Sequence, residues 1–223
     1  MEEWLEGEVV KNIKWTKNLS SLKIKAKINN HQAGQFTRIG LKVNDDFITR
    51  SYSYASAPKD EILEIIYVNI PNGKLSPILH NLEIGDKVSV MQQAIGYFTL
   101  DEIPDGENLW MLATGTALGV FLAILKTSSP WKRFKKVILI HSVRYEEELI
   151  YQDLITEMKQ RYPDQFIYLN SVTRSKVNDS FNFRIPEGLS SKKFQESTQI
   201  EINEASQFMS CGNPEMIKEK KEV

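Results

Sequence analysis

Along residues 1–100, apolar and polar positions trade places over short distances. Residues 7–15 (GEVVKNIKW) and 19–26 (LSSLKIKA) show partial alternation, the period of strands with one covered face. Residues 35–41 follow Gly34, which can serve as a turn. Residues 46–49 run into Arg50-Ser51-Tyr52-Ser53, and 63–68 and 87–90 complete the set. Asn44-Asp45-Asp46 is a hairpin turn. Several short strands at this spacing predict a small antiparallel β-barrel. The exception is 71–82, where Ser76 followed by Pro77 predicts a helix with Ser76 at the N-cap and Pro77 at the first helical position.

Acids, Pro104 and Gly106 break the pattern over 101–108, where we place a domain boundary. Beyond it the rhythm becomes strand, turn, helix. The continuous apolar run 109–113 suits a buried parallel strand. It meets Thr114-Gly115-Thr116-Ala117-Leu118-Gly119 and then a helix over 120–125. That succession opens a nucleotide-binding α/β unit, although its glycines do not match G-x-G-x-x-G. Residues 136–141 are the next strand, 145–161 a charged helix, 166–172 a third strand and 207–210 a fourth. The fold expected is therefore two-domain: an antiparallel β-barrel over 1–100 and an α/β parallel-sheet domain over 107–223.

Composition narrows the partners. The chain carries 28 basic and 29 acidic residues, interspersed, for a net charge of −1. Without a basic block, nucleic acid is not an expected partner. The single cysteine, Cys211, excludes an internal disulfide framework and suits a reducing cytoplasm. A cluster normally needs about four cysteine ligands, so an iron–sulfur centre is excluded as well. His31, His80 and His141 have no metal-ligand spacing, so no metal is expected. The acidic start lacks the layout of a signal peptide, and no apolar run approaches the ~18 residues of a membrane span. A cytoplasmic monomer is the expectation.

The candidate chemistry lies in three places. On an extended segment Arg50 and Tyr52 share one face and Ser51 and Ser53 the other. A guanidinium there can grip a phosphate through forked hydrogen bonds. Gly73, just before the helix start, lets backbone amides approach an anion. Arg144 and Arg174 sit at carboxyl ends of strands, where open α/β sheets bind ligands, and Arg184 follows in a loop. The three can serve a nucleotide with an extra 2′-phosphate, or be solvated surface arginines. His80 reads as a helix-surface residue and His141 as a satisfied histidine at a strand end.

Arg50-Ser51-Tyr52-Ser53, Gly73-Lys74-Leu75-Ser76, Gly115-Thr116-Ala117-Leu118-Gly119 and Cys211-Gly212-Asn213-Pro214 come in the order and at the separations of ferredoxin–NADP reductases. Over residues 4–216 the chain most resembles the bacterial ferredoxin/flavodoxin–NADP reductases. The resemblance implies an N-terminal FAD-binding barrel and a C-terminal NADP-binding domain. It implies that Arg50 holds the FAD pyrophosphate, with Tyr52 packed on the isoalloxazine, Ser53 near flavin N5 and Ser51 also part of the FAD site. Tyr67, Val68 and the backbone of Gly73, Lys74, Leu75 and Ser76 complete the FAD site, with Thr116 reaching the flavin from the second domain. Gly115, Arg144, Thr173, Arg174, Arg184, Asn213, Pro214 and Glu215 serve NADP(H). Ser53, Thr116 and Cys211 are the implied catalytic residues; Cys211 can also be read as a small buried residue at a strand end.

The implied reaction is hydride transfer between NADPH and FAD across about 3–3.5 Å. Single electrons then pass between FAD and a separate ferredoxin or flavodoxin. Two further readings are a reductase of free flavin or of an oxygenase, and a non-catalytic nucleotide-binding module. The chain departs from the family with Val120 where a proline is usual. Relatives also continue past residue 223 to an aromatic-bearing tail over FAD. From that difference we expect weaker FAD binding and a flavin more open to oxygen.

Overall fold

The computed structural model describes residues 3–212. The described backbone divides into two units, one made of residues 3–102 with 119–127, the other of 103–118 with 128–212.

The first unit is a six-stranded antiparallel sheet. Its strands are β1 (Trp4–Lys14), β2 (Leu19–Lys25), β3 (Phe36–Val43), β4 (Asp46–Ser53), β5 (Leu63–Val68) and β6 (Lys87–Met91). They lie in the order β4-β3-β6-β1-β2-β5. A bridge between Tyr54 and Ile65 joins the two end strands, which closes the sheet into the expected barrel. Inward-facing Val9, Leu22, Ile24, Ile39, Ile65, Leu79 and Val90 form its core, with Ile48 and Tyr52 packed against it. The β3–β4 hairpin turns at Asn44, whose φ of 56° lies in the left-handed region that asparagine tolerates.

Helix α1 (Ser76–Asn81) corrects the expected cap. Leu75, not Ser76, occupies the N-cap position, and no side chain caps the helix. Ser76 Oγ is committed elsewhere, accepting the Ile70 amide at 3.0 Å. Asn12 holds the other end of the helix by donating its Nδ2 to the carbonyls of Leu79 (2.8 Å) and Leu82 (2.9 Å).

Helix α2 (Leu118–Leu125) begins two residues earlier than its sequence suggested and is buried along its whole length. A helix that is apolar all round must be covered all round. From Gly119 on it groups with the barrel. A side chain at Gly119 would meet Ile66 at 3.1 Å and Ala55 at 3.2 Å, so the missing Cβ permits the close approach. At its end Lys126 donates to the Ala55 carbonyl at 3.1 Å.

The second unit is a parallel sheet of β7 (Asn108–Thr114), β8 (Lys136–Val143), β9 (Phe166–Val172) and β10 (Ser206–Cys211), in the order β10-β7-β8-β9. Trp110, Leu112, Ile138 and Ile140 are fully buried. The chain builds outward from β7 through β8 to β9, then returns to place β10 on the other flank of β7. The order therefore reverses between β7 and β10, and the carboxyl ends of these two strands flank the crevice that such a reversal creates.

Among the described residues this unit also carries α3 (Ser129–Arg133), α4 (Gln152–Arg161), α5 (Ile185–Ser190) and α6 (Lys193–Thr198). The single charged helix expected over 145–161 is instead a 3-10 turn at Glu146–Glu148 followed by α4. Tyr151 interrupts it at φ 59°. Glu148 is drawn back, its carboxylate accepting the amides of Arg144 (2.8 Å) and Tyr145 (3.0 Å). Among the described residues no helix is long and apolar enough to cross a membrane.

Candidate functional site

In the first unit the candidate residues are carried by β4, β5 and the turn before α1. All eight residues of β4 pair in register with β3, Ile39 opposite Arg50, Arg38 opposite Ser51, Thr37 opposite Tyr52 and Phe36 opposite Ser53. The ladder therefore fixes the side-chain directions that alternation predicts. Arg50 is exposed, and one Nη of its guanidinium donates to the neighbouring Thr49 carbonyl at 2.7 Å; a guanidinium has five N–H donors, which leaves others for a ligand. Tyr52 is half-buried and meets Tyr67 edge to face at 6.4 Å. Burial first, and the neighbouring Tyr67 second, push its phenol up to about 12, so the ring is neutral at every working pH and serves as a surface. Ser51 and Ser53 are exposed on the opposite face.

Tyr67 is buried, and its hydroxyl donates to Asn12 Oδ1 at 3.1 Å. Asn12 thus ties the aromatic pair to α1, a role for which the sequence offered no signal. Val68 and Ile70 are large apolar side chains left 47% and 58% exposed. Ile70, standing directly before the Pro71 turn, was not among the expected residues. The backbone at Gly73 is tightly folded: its amide donates to Ile70 O at 2.7 Å, and a Cβ would stand 2.9 Å from Ser76 Oγ. Lys74 is exposed. Leu75 is buried with its side chain in the barrel core, so only its backbone is free to face a ligand. A cation, a neutral aromatic face, exposed apolar side chains and a glycine cradle fit a planar ring system that carries a pyrophosphate. A concavity of about 580 Å³ elsewhere in this unit, lined by Lys25, His31, Asp60 and Lys87 among others, shares none of these residues.

In the second unit the candidates stand at carboxyl ends of strands. Gly115 opens a 3-10 turn (Gly115–Ala117) with φ 55°, and Thr116 is half-exposed within it. Gly115 is glycine for its conformation, since a Cβ there would touch nothing within 4 Å. Gly212, with φ 139°, is glycine for space, because a Cβ would fall 1.8 Å from Thr114 Oγ1. The ends of β7 and β10 meet backbone against side chain at this point. Cys211 is the last residue of β10, half-buried, and burial pushes its thiol up. It is held as the thiol, which suits packing beside a ligand and not nucleophilic attack.

Arg144 and Arg174 come together at the ends of β8 and β9, the Arg174 amide donating to the Arg144 carbonyl at 2.9 Å. Thr173 stands between them in chain and space, its amide and hydroxyl both donating to Val143 O. Phe181 bridges Ser171 as an added parallel partner of β9. Arg184 follows three residues later at the N-cap of α5. All three arginines are exposed. Asn213, Pro214 and Glu215 lie outside the described residues. Among those residues no group of three or more His, Cys, Asp or Glu is arranged to hold a metal.

Comparison with known proteins gives a consistent picture. The family model of the oxidoreductase FAD-binding domain matches residues 6–98, and that of the oxidoreductase NAD-binding domain matches 111–222. The chain is 40% identical over 220 residues to the flavodoxin/ferredoxin–NADP reductase of Shigella flexneri, covering 98% of this chain and 89% of that protein. The corresponding protein of Escherichia coli (strain K12) is 39% identical with the same coverage. Among solved structures, a ferredoxin NADP+ reductase from Neisseria gonorrhoeae with bound FAD and NADP superposes with a TM-score of 0.92 at 31% identity, covering 100% of this chain and 90% of that one.

Proposed function

The chain belongs to the flavodoxin/ferredoxin–NADP reductase family, and we propose on that premise how its own residues divide the work. It is an oxidoreductase that uses FAD and NADP(H) to pass electrons to ferredoxin or flavodoxin. When bound, FAD supplies the exchange between the two-electron hydride of NADPH and the one-electron needs of the carrier.

The protein's part is to bind and orient. Arg50 holds the FAD pyrophosphate with a permanently charged fork, helped by the backbone from Gly73 to Ser76, and Ser51 belongs to the same cofactor's site from the other face of β4. Tyr52 offers a neutral face to the flavin ring, with Tyr67 supporting Tyr52 and Val68 adding apolar cover. Ser53 and Thr116 offer hydroxyls to the flavin's reacting edge. Gly115 brings backbone close to the nicotinamide nucleotide, and Cys211 packs beside it with its thiol protonated. Arg144, Thr173, Arg174 and Arg184 bind the 2′-phosphate and so select NADPH over NADH. Asn213, Pro214 and Glu215 extend the nucleotide site.

What supports this division most is that two separate elements each meet one cofactor's demands: the in-register strand β4 and the strand-order reversal at β7 and β10. Steady-state turnover with NADPH and flavodoxin, ferredoxin or free FMN tests it. We expect kcat/KM for one of the protein carriers to exceed that for FMN by at least about tenfold, and the protein to run as a monomer. Turnover of free FMN alone would overturn the carrier assignment.

A further inference from the structure

His141 lies in the middle of the second sheet, beside Ala113 in the β7–β8 register, and is completely buried. Its Nε2 stands 3.1 Å from the carbonyl oxygen of Gly115, in a turn whose Gly115 is exposed and whose Thr116 is half-exposed. A carbonyl has no proton to give, so Nε2 must carry the hydrogen and donate. Nδ1 is then a bare acceptor, and it is buried without a partner. A buried polar atom left unsatisfied is destabilising, a penalty that an apolar residue at this position would avoid.

We propose that His141 is a positioning residue for nucleotide binding: it holds the Gly115 carbonyl inward and thereby aims the Thr116 amide outward. The geometry follows from the trans peptide, whose C=O and N–H point in opposite directions. Gly115 needs such a hold because it is the one residue of its turn in the left-handed region, and nothing would contact a Cβ there to restrain it sterically. The same carbonyl accepts the Leu118 amide, so His141 and the first turn of α2 grip it together. Burial keeps the imidazole neutral, holding the pKa down to about 4, so the ring carries one N–H and its tautomer decides which nitrogen donates. The inference rests on the assignment of this turn to NADP(H).

The direct test reads the tautomer by two-bond ¹H–¹⁵N correlation in the full-length protein, with no substrate present. We expect the Nε2–H form at neutral pH; the Nδ1–H form would overturn the proposal outright. Variants then separate positioning from packing. Gln can place an amide nitrogen where Nε2 stands, and Leu cannot. We expect His141→Leu to raise KM for NADPH and the Kd of NADP+ about tenfold, the effect of one lost hydrogen bond, with a smaller change in kcat. His141→Gln should restore most of that loss. A lowered Tm with unchanged KM in His141→Leu, or no rescue by Gln, would make the residue merely structural. Should the Leu variant fail to fold, the tautomer and the Gln variant still decide. An inactive wild type would sink the functional assignment and leave the tautomer result standing.

Discussion

The two units present their functional groups in opposite ways. The first uses side chains on a regular strand: Arg50, Tyr52 and Ser53 take their directions from a ladder that pairs every residue of β4 with β3. The second uses turns at strand ends, where Gly115 and Gly212 have left-handed backbones and the Arg144 and Arg174 main chains are hydrogen-bonded to each other. A ladder tolerates loss of one side chain because the backbone stays paired. A turn can fail as a whole when one backbone position changes. The first unit should therefore lose single contacts on mutation, and the second should lose conformation.

The sharpest break in this contrast is Gly212→Ala. The new Cβ would overlap Thr114 Oγ1 at 1.8 Å in a conformation alanine resists, so β10 must shift from β7. We expect a loss of about 3–4 kcal/mol in stability together with collapse of NADPH turnover, checked by urea unfolding and kinetics. Acid comes next. His141 has its folded pKa lowered from 6.5 to about 4 by burial, with only the Gly115 carbonyl working against it. The unfolded chain therefore takes up the proton first. Its contribution is complete above about pH 6.5, declines as pH falls, and is gone near pH 4, a change on the order of 3 kcal/mol. Burial lowers His31 and His80 as well, so the measurement is the difference in Tm against pH between wild type and His141→Gln.

Arg50→Ala should act on one contact alone. We expect FAD binding to weaken by about 2–3 kcal/mol with unchanged apoprotein Tm, read by fluorescence titration. A fall in Tm of the size seen for Gly212→Ala would erase the distinction between the units. The smallest effect is at Arg174→Ala. It should raise KM for NADPH by roughly tenfold, about 1.4 kcal/mol, and leave KM for NADH where it was.

The barrel was legible because its strands are half-covered and alternate, and the parallel sheet because its strands are continuous apolar runs. What could not be read is tertiary. The Ser76 hydroxyl looks like a cap until Ile70 claims it. Residues 145–161 look like one helix until Glu148 turns back onto the Arg144 and Tyr145 amides. Helix α2 follows β7 in sequence, yet from Gly119 on it groups with the barrel, through the close fit of Gly119 on Ile66 and Ala55. The motif residues of the candidate site were legible as types, Arg, Tyr, Gly and Ser in order. The supports Asn12 and His141 were not, because their meaning lies in contacts 55 and 26 residues away in the chain.

Anaerobic titration of the FAD-loaded protein with NADPH, followed by visible absorbance, tests the central claim most directly. The account predicts stoichiometric bleaching of the flavin by NADPH and reoxidation on adding ferredoxin or flavodoxin. A protein that retains FAD yet leaves it oxidised under excess NADPH would contradict it.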